Sequence, residues 1–390
     1  LDVPIFPGYP RVCFDHGAIE ALGEELARAG VGRPLVITDE GLVAHGVVDR
    51  LRSALSDRAD VLVFDGIPPN PTVAGIEGAL GAYRANGCDG IVGLGGGSVL
   101  DSGKALRVAV THERPILDYL EDPSMITADV APYLTVPTTA GTGAEITSGG
   151  GIHPEANAHQ LGIRSSHVRP DVAICDPDLT LTLPPLLTAA TGMDALAHCL
   201  EGYLSRNVNP PADAIALDGI TRITTWLERA VANGADREAR WHMMMAALEG
   251  GMAISMGLGP VHVLGHIFAD SPLHHGALIA ASTPPVVRWY QSRGDDGLDR
   301  KLAGVVEAMG PVAGAGGDLA DAIAALNARI GIEPSIRAQG YPDGDVDALA
   351  AMAAADRFFN PASPVVPTVD EYRVIVTQAL GENTAPWVAG

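Results

Sequence analysis

Two stretches of the chain concentrate groups that bind divalent metals. They are Thr191-Gly-Met-Asp-Ala-Leu-Ala-His-Cys-Leu-Glu201 and Pro260-Val-His-Val-Leu-Gly-His266, the second followed by Leu273-His-His-Gly276. Asp194 and His198 stand at i and i+4 on a predicted helix, so they share a face. One such pair alone is usually a surface contact or a core histidine satisfied by its neighbours. Here His262 and His266 repeat the spacing, and His274 and His275 follow shortly after. A carboxylate with several imidazoles suits Fe²⁺, Zn²⁺, Co²⁺ or Ni²⁺ and leaves a coordination position for substrate. Spacing alone leaves open whether His266 is a ligand and which of His274 and His275 binds. Met243, Met244, Met245, Met252 and Met256 read as core residues.

A second kind of chemistry lies upstream. Gly95-Gly-Gly-Ser-Val-Leu-Asp-Ser-Gly-Lys104 follows an apolar strand and runs into a helix. Glycines let the backbone approach a phosphate closely, and the free amides of a helix start favour an anion. Asp39 follows the strand Leu35–Thr38, where a carboxylate can accept the ribose hydroxyls of adenosine; the competing reading is a helix cap. Pro137-Thr-Thr-Ala-Gly-Thr-Gly-Ala-Glu145 offers hydroxyls for a phosphate or nicotinamide pocket, with a plain turn as the alternative. A metal site and a dinucleotide site in one chain point to metal-assisted hydride transfer.

The elements that must position these groups change character along the chain. Short apolar runs at Leu35–Thr38, Val61–Phe64, Gly90–Leu94, Tyr133–Val136 and Val172–Cys175 read as buried strands. Helical stretches at Ala18–Ala29, Leu42–Leu55, Val73–Asn86 and Val99–Val110 lie between several of them. That alternation predicts an α/β domain with a doubly wound, mostly parallel sheet. Beyond Pro184-Pro185 nearly every segment has helical period: Leu186–Leu204, Ala212–Ala232, Glu238–Met256, His274–Tyr290, Asp299–Met309 and Leu319–Ile330. The expected organisation is a dinucleotide-binding α/β domain over 1–183 and an all-α metal-binding domain over 184–390, with Gly381–Gly390 peripheral.

Composition narrows the partners. The chain has 390 residues, 47% hydrophobic and 18% charged, which suits two packed domains rather than disorder. A formal charge of −22 argues against nucleic acid and anionic membranes. No apolar run reaches transmembrane length, and no signal-peptide pattern opens the sequence. Four scattered cysteines read as reduced thiols in a cytoplasm.

In order, Asn70-Pro-Thr72, Gly95–Lys104, Pro137–Glu145, Gly192–Glu201 and Gly257–Gly276 resemble the iron-containing (group III) alcohol dehydrogenases, of dehydroquinate-synthase-like fold. The resemblance spans nearly the whole chain. It implies a cleft where the nicotinamide of NAD(H) meets a divalent metal, Fe²⁺ first and Zn²⁺ second. The ligands it implies are Asp194, His198, His262 and His275, with His266 a non-ligand near the nicotinamide and a proton-relay candidate. On the cofactor side it implies Asp39, Asn70, Gly96, Gly97, Ser98, Asp101, Thr138, Thr139 and Thr142. The implied activity is reversible oxidation of an alcohol to an aldehyde or ketone, with the metal on the alcohol oxygen. A small alcohol or aldehyde is the expected partner, and a homo-oligomer, a dimer first, the expected assembly.

Departures from the family pattern gather around the cleft. Gln160 stands where a lysine is expected, and Ala362 where an arginine is expected. Gly149-Gly-Gly151 replaces bulkier residues beside the substrate. The glycines, with Ile254, are expected to leave a pocket for a substrate larger than ethanol; a backbone demand for glycine is the alternative. Rival readings are a maleylacetate-reductase-like enzyme, a dehydroquinate-synthase-like enzyme and a non-enzymatic metal- or nucleotide-binding protein. The Asp, His, His, His set speaks against the first two.

Overall fold

The computed structural model describes residues 8–55, 61–156, 158–314, 318–342 and 344–382. Most of the tail Gly381–Gly390 therefore lies outside the described residues. The chain divides into two compact units. One contains Gly8–Thr139 and Gly143–Thr182; the other contains Ala140–Thr142 and the chain from Leu183 onward. The tripeptide Ala140–Thr142 was expected in the first unit. It belongs with the second because Gly141 packs on Thr191, where a Cβ would stand 2.7 Å from the Thr191 backbone oxygen.

The first unit is built on β1 (Arg11–Phe14), β2 (Pro34–Ile37), β3 (Leu62–Phe64), β4 (Gly90–Gly95), β5 (Tyr133–Pro137), β6 (Gly149–Ile152), β7 (Leu161–Arg164) and β8 (Val172–Cys175). Six strands form one sheet in the order β1-β8-β5-β4-β2-β3. Every pairing in it is parallel. β2, β4, β5 and β8 are buried along their whole length, which is why they read as unbroken apolar runs. Successive residues alternate between two cores: Leu35 and Ile37 enter one, Val36 the other. The strand order reverses beside β2 and β4, so the carboxyl ends of these neighbours form the crevice where such sheets bind ligands.

Three features differ from the sequence expectation. β1 is a half-exposed edge strand headed by Arg11, too short and polar to signal itself. β6 and β7 form a separate antiparallel pair; the Gly149–Gly151 run hides it, because glycine is depleted in strands. The single helix expected over Leu42–Leu55 is two, Glu40–Ala44 and Val47–Leu55. Gly46 between them has φ +74° and ends the first.

Among the described residues the second unit is helical throughout: Pro185–Leu204, Pro210–Ala232, Arg237–Ala253, Pro260–Ile267, His275–Gln291, Asp296–Met309, Leu319–Arg329, Val346–Ala355 and Val369–Ala379. Asn209, Asp236, Asp295, Asp318 and Asp345 cap helix starts with their side chains. The stretch expected to be helical to Met256 leaves α geometry at Ala253, and Ile254–Met256 is a 3₁₀ turn. Pro185–Leu204 is buried on nearly every face and packs against the helices Pro210–Ala232, Arg237–Ala253 and His275–Gln291, as a helix apolar all round must. Pro284 and Pro285 lie inside His275–Gln291. Pro284 removes the donor due to the Ala280 carbonyl, and Asn327 Nδ2 replaces it at 2.7 Å. Among the described residues no single helix is long and apolar enough to cross a membrane.

Candidate active site

Because Pro185–Leu204 is buried, the i and i+4 pair on it carries Asp194 and His198 into the interior. Pro260–Ile267 supplies His262 from its first turn, and His275 opens the helix His275–Gln291. The Nε2 atoms of His198, His262 and His275 lie 3.8, 3.7 and 3.8 Å from Asp194 Oδ1. These separations are too long for hydrogen bonds. Ligand bonds of about 2.1 Å in a tetrahedral set put donors roughly 3.4 Å apart, so the spacing fits one small divalent ion. Asp194 Oδ1 and His262 Nε2 are buried and have no hydrogen-bond partner. Orphaned acceptors of this kind cost about 1–3 kcal/mol each, which an ion between them would remove.

The rings are aimed by their other nitrogens. His262 Nδ1 donates to Glu201 Oε2 at 2.6 Å, and His198 Nδ1 donates to the Gly141 carbonyl at 3.3 Å. A carboxylate and a carbonyl only accept, so Nδ1 is the nitrogen that keeps its proton in each ring, and Nε2 of the neutral form is the one that faces the cluster. The two rings stack with centroids 4.6 Å apart. Burial pushes the Asp194 carboxyl up, but His198, His262 and His275 together outweigh it and hold the group below the carboxylate range. Burial lowers His198 to about 4 against the pull of Asp194. Burial also opposes charge on His262, but the carboxylates of Asp194 and Glu201 on either side of the ring prevail and raise it to about 9, so a metal binding there displaces the Nε2 proton. His275 is the open member, its side chain 42% exposed.

The structure thus brings Asp194, His262 and His275 within 4.8 Å of one another, while His198 approaches Asp194 at 3.8 Å but stands outside that trio. His274 stands just before its helix as the N-cap residue, outside the cluster. His266 turns elsewhere: its Nδ1 lies 3.7 Å from Asp356 Oδ2, and its ring packs on Phe359 with centroids 4.4 Å apart. The Phe358 and Phe359 amides donate to Asp356 Oδ1 at 2.9 and 2.7 Å, which fixes the carboxylate toward His266. Burial raises the Asp356 carboxyl, but His266 and those amides bring it below its ordinary range. Glu201, Asp356, Phe358 and Phe359 are the residues that motif reading passed over. Glu201 carried a signal, at i+7 from Asp194 and i+3 from His198 on one helix face. The Phe358-Phe359 pair carried none, since its role depends on a distant helix.

In the sheet unit, Asp39, Gly96–Ser98 and Thr138–Thr139 follow the carboxyl ends of β2, β4 and β5, three neighbours in the sheet. The Thr138 amide donates to the Gly95 carbonyl, and a Cβ on Gly96 would stand 3.2 Å from Thr139 Cγ2. Ser98 Oγ donates to the Pro69 carbonyl, which brings the Asn70 loop to the glycine turn. Gly97 opens the helix Gly97–Thr111, whose start has no side-chain cap. Asp39 is a helix cap: its Oδ1 accepts from the Leu42 amide at 3.0 Å. A cap and a ribose acceptor are compatible, because the bond uses one oxygen and orients the other. Thr142 lies with the helical unit.

The glycine triplet does not simply leave space. A Cβ on Gly151 would stand 1.1 Å from Gln160 Nε2, and one on Gly150 would stand 2.6 Å from Asp101 Cγ. Neither residue has positive φ. The volume is already filled, by Gln160 and by Asp101, which accepts the Gly151 amide at 3.1 Å. Lys104 completes the clamp: its buried Nζ donates to Asp101, Thr147 and the Gly149 carbonyl. Only Gly149 is open, with Ile163 O at 3.4 Å as its sole near neighbour. Ile254 lies half-buried in its 3₁₀ turn in the helical unit.

Comparison with known proteins agrees with this chemistry. The family described as iron-containing alcohol dehydrogenase matches residues 10–177, and its C-terminal counterpart matches 188–380. The chain is 41% identical to 4-hydroxybutyrate dehydrogenase of Cupriavidus necator over 95% of this chain and 98% of that one. The crystal structure of a 1,3-propanediol oxidoreductase superposes with TM-score 0.89 at 33% identity, covering 96% of this chain and 100% of that one. Sulfoacetaldehyde reductase from Bifidobacterium kashiwanohense, solved with NAD⁺, superposes with TM-score 0.85 at 25% identity, covering 97% and 100%. The chain belongs to the iron-containing alcohol dehydrogenase family, as a metal-dependent, NAD(H)-linked alcohol dehydrogenase or aldehyde reductase.

Proposed function

We propose that the enzyme interconverts a short ω-hydroxy carboxylate of the 4-hydroxybutyrate class and the corresponding semialdehyde. The observation that carries this is the 41% identity, over 95% of the chain, to an enzyme of that activity. Asp194, His198, His262 and His275 would hold the metal, Fe²⁺ first and Zn²⁺ second. Bound there, the metal supplies Lewis acidity at the alcohol or aldehyde oxygen, and NAD(H) accepts or donates the hydride. Asp39 takes the adenosine ribose. Gly96, Gly97 and Ser98 take the pyrophosphate, while Asn70, Asp101, Thr138, Thr139 and Thr142 border the phosphates and nicotinamide. His266 moves the hydroxyl proton to and from solvent, with Asp356 facing its Nδ1 at 3.7 Å. Gly149, Gly150, Gly151 and Ile254 border the substrate, with Gly149 the position of the triplet that leaves room for it.

The test is kcat/KM of the metal-reconstituted enzyme with NADH across succinic semialdehyde, butanal, 3-hydroxypropanal and acetaldehyde. The semialdehyde should exceed butanal, its uncharged analogue of equal length, by about tenfold or more, equal to roughly 1.4 kcal/mol. Equal values, or a preference for acetaldehyde, would remove the carboxylate from the reading. None of the four cysteines, all among the described residues, is in a disulfide, which supports a cytoplasmic location. The position of β1 at the edge of the sheet, with one strand neighbour among the described residues, supports assembly with a second copy, a dimer first, which sedimentation would test.

A further inference from the structure

Glu201 is a carboxylate almost wholly withdrawn from water, its side chain 1% exposed, and it is not one of the three convergent donors Asp194, His262 and His275. Both its oxygens are used. Oε1 accepts the Val261 amide at 2.8 Å; Oε2 accepts the His262 amide at 3.3 Å and His262 Nδ1 at 2.6 Å. The helix Pro260–Ile267 has no side-chain cap of its own. Its N-cap is Gly259, where a Cβ would stand 3.0 Å from Glu201 Oε1. Its first residue is proline, which has no amide to satisfy. The next two amides go to Glu201, so one carboxylate from the helix Pro185–Leu204 closes this helix start and grips the ring of His262.

We infer that Glu201 is a positioning residue that sets the metal affinity of the site through His262. The inference rests on the metal reading above. Two effects act together. The Nδ1 bond fixes the tautomer and aims Nε2 at the point facing Asp194 Oδ1, so no ring entropy is lost on binding. A divalent ion among Asp194 and three neutral imidazoles keeps one uncompensated positive charge. Glu201, joined to that set through His262, supplies the second negative charge in a region with little water to screen it.

Glutamine at this position retains one acceptor but turns an amide donor toward either Val261 or His262. Aspartate retains the charge but falls one methylene short. The experiment measures Fe²⁺ and Co²⁺ affinity by chelator competition, the visible spectrum of the Co²⁺ form, NADH binding, and the Tm of metal-free protein. It uses wild type, Glu201→Gln, Glu201→Asp and Asn327→Ala. The last loses a buried hydrogen bond in the same unit without touching the cluster. Both Glu201 variants should bind metal about 10- to 100-fold more weakly, with shifted Co²⁺ bands and unchanged NADH binding. Asn327→Ala should lower Tm and keep wild-type affinity. Wild-type metal affinity and spectrum in both Glu201 variants, with Tm alone reduced, overturns the inference and leaves the metal site standing. A wild type that binds neither ion overturns the metal reading and this inference with it.

Discussion

At the scale of single residues, three side chains separate roles that motifs merge. His262→Ala removes one of four donors and leaves Asp194 facing two imidazoles. Bound metal and turnover should be lost together while NADH binding persists, measured by metal analysis and fluorescence titration; full activity in a metal-free variant would contradict the ligand set. Asp39 is a helix cap and the proposed ribose acceptor, so the proposal is tested by removing its charge without its cap. Asparagine caps as well as aspartate. Asp39→Asn should raise the NADP/NAD ratio of kcat/KM by about tenfold, roughly 1.4 kcal/mol; an unchanged ratio counts against the assignment. Glu145 ends the threonine loop, and burial raises its carboxyl to about 7, against weaker lowering by its own amide and Lys104. Between its ordinary 4.5 and 7 the folded state holds a proton that the unfolded chain has released. Stability from this group is therefore present below pH 4.5 and lost as pH rises through 7. Glu145→Gln should remove that slope and raise Tm relative to wild type at pH 8 more than at pH 5; an equal difference at both would refute it.

At the scale of elements, the hairpin β6–β7 shows where sequence reading stops. Gly149–Gly151 read as missing volume, since a single chain shows no neighbour. The structure puts Gln160 into the space of Gly151 and Asp101 against Gly150. The two departures from family pattern, a glycine in β6 and a glutamine just before β7, nine residues apart, thus become one packing solution. Five of the six strands of the main sheet and most long helices were legible because burial writes itself as apolar runs or helical period. The pair Asp194 and His198 was legible because one helix holds both. What joins His262 to Glu201, or His266 to Asp356, passes between helices distant in sequence and leaves no local period. Gly151→Ala should therefore expel Gln160 rather than merely narrow a pocket. The expected result is a loss of about 1–3 kcal/mol in stability, measured by urea unfolding. Gly151→Ala combined with Gln160→Ala should recover most of it. Failure of the second change to recover stability would show that the glycine answers a backbone demand instead.

At the scale of the whole molecule, the formal charge of −22 acts on every encounter with an anion. A short semialdehyde carboxylate approaches this field from solvent and is repelled until the local site overcomes it. The Debye length shrinks from about 30 Å at 0.01 M salt to about 8 Å at 0.15 M, so added salt should relieve the repulsion. With NADH saturating at each salt concentration, kcat/KM for the semialdehyde should rise several-fold, roughly two- to fivefold, over that range. Butanal carries no charge and should change little. The comparison uses one enzyme, one cofactor and two aldehydes of equal length, so viscosity, metal loading and NADH affinity cancel. A parallel rise for both aldehydes would place the salt effect on the protein or cofactor. A fall for the semialdehyde alone would mean that a local cation in the site outweighs the net charge, and that the enzyme draws its anionic substrate in by attraction.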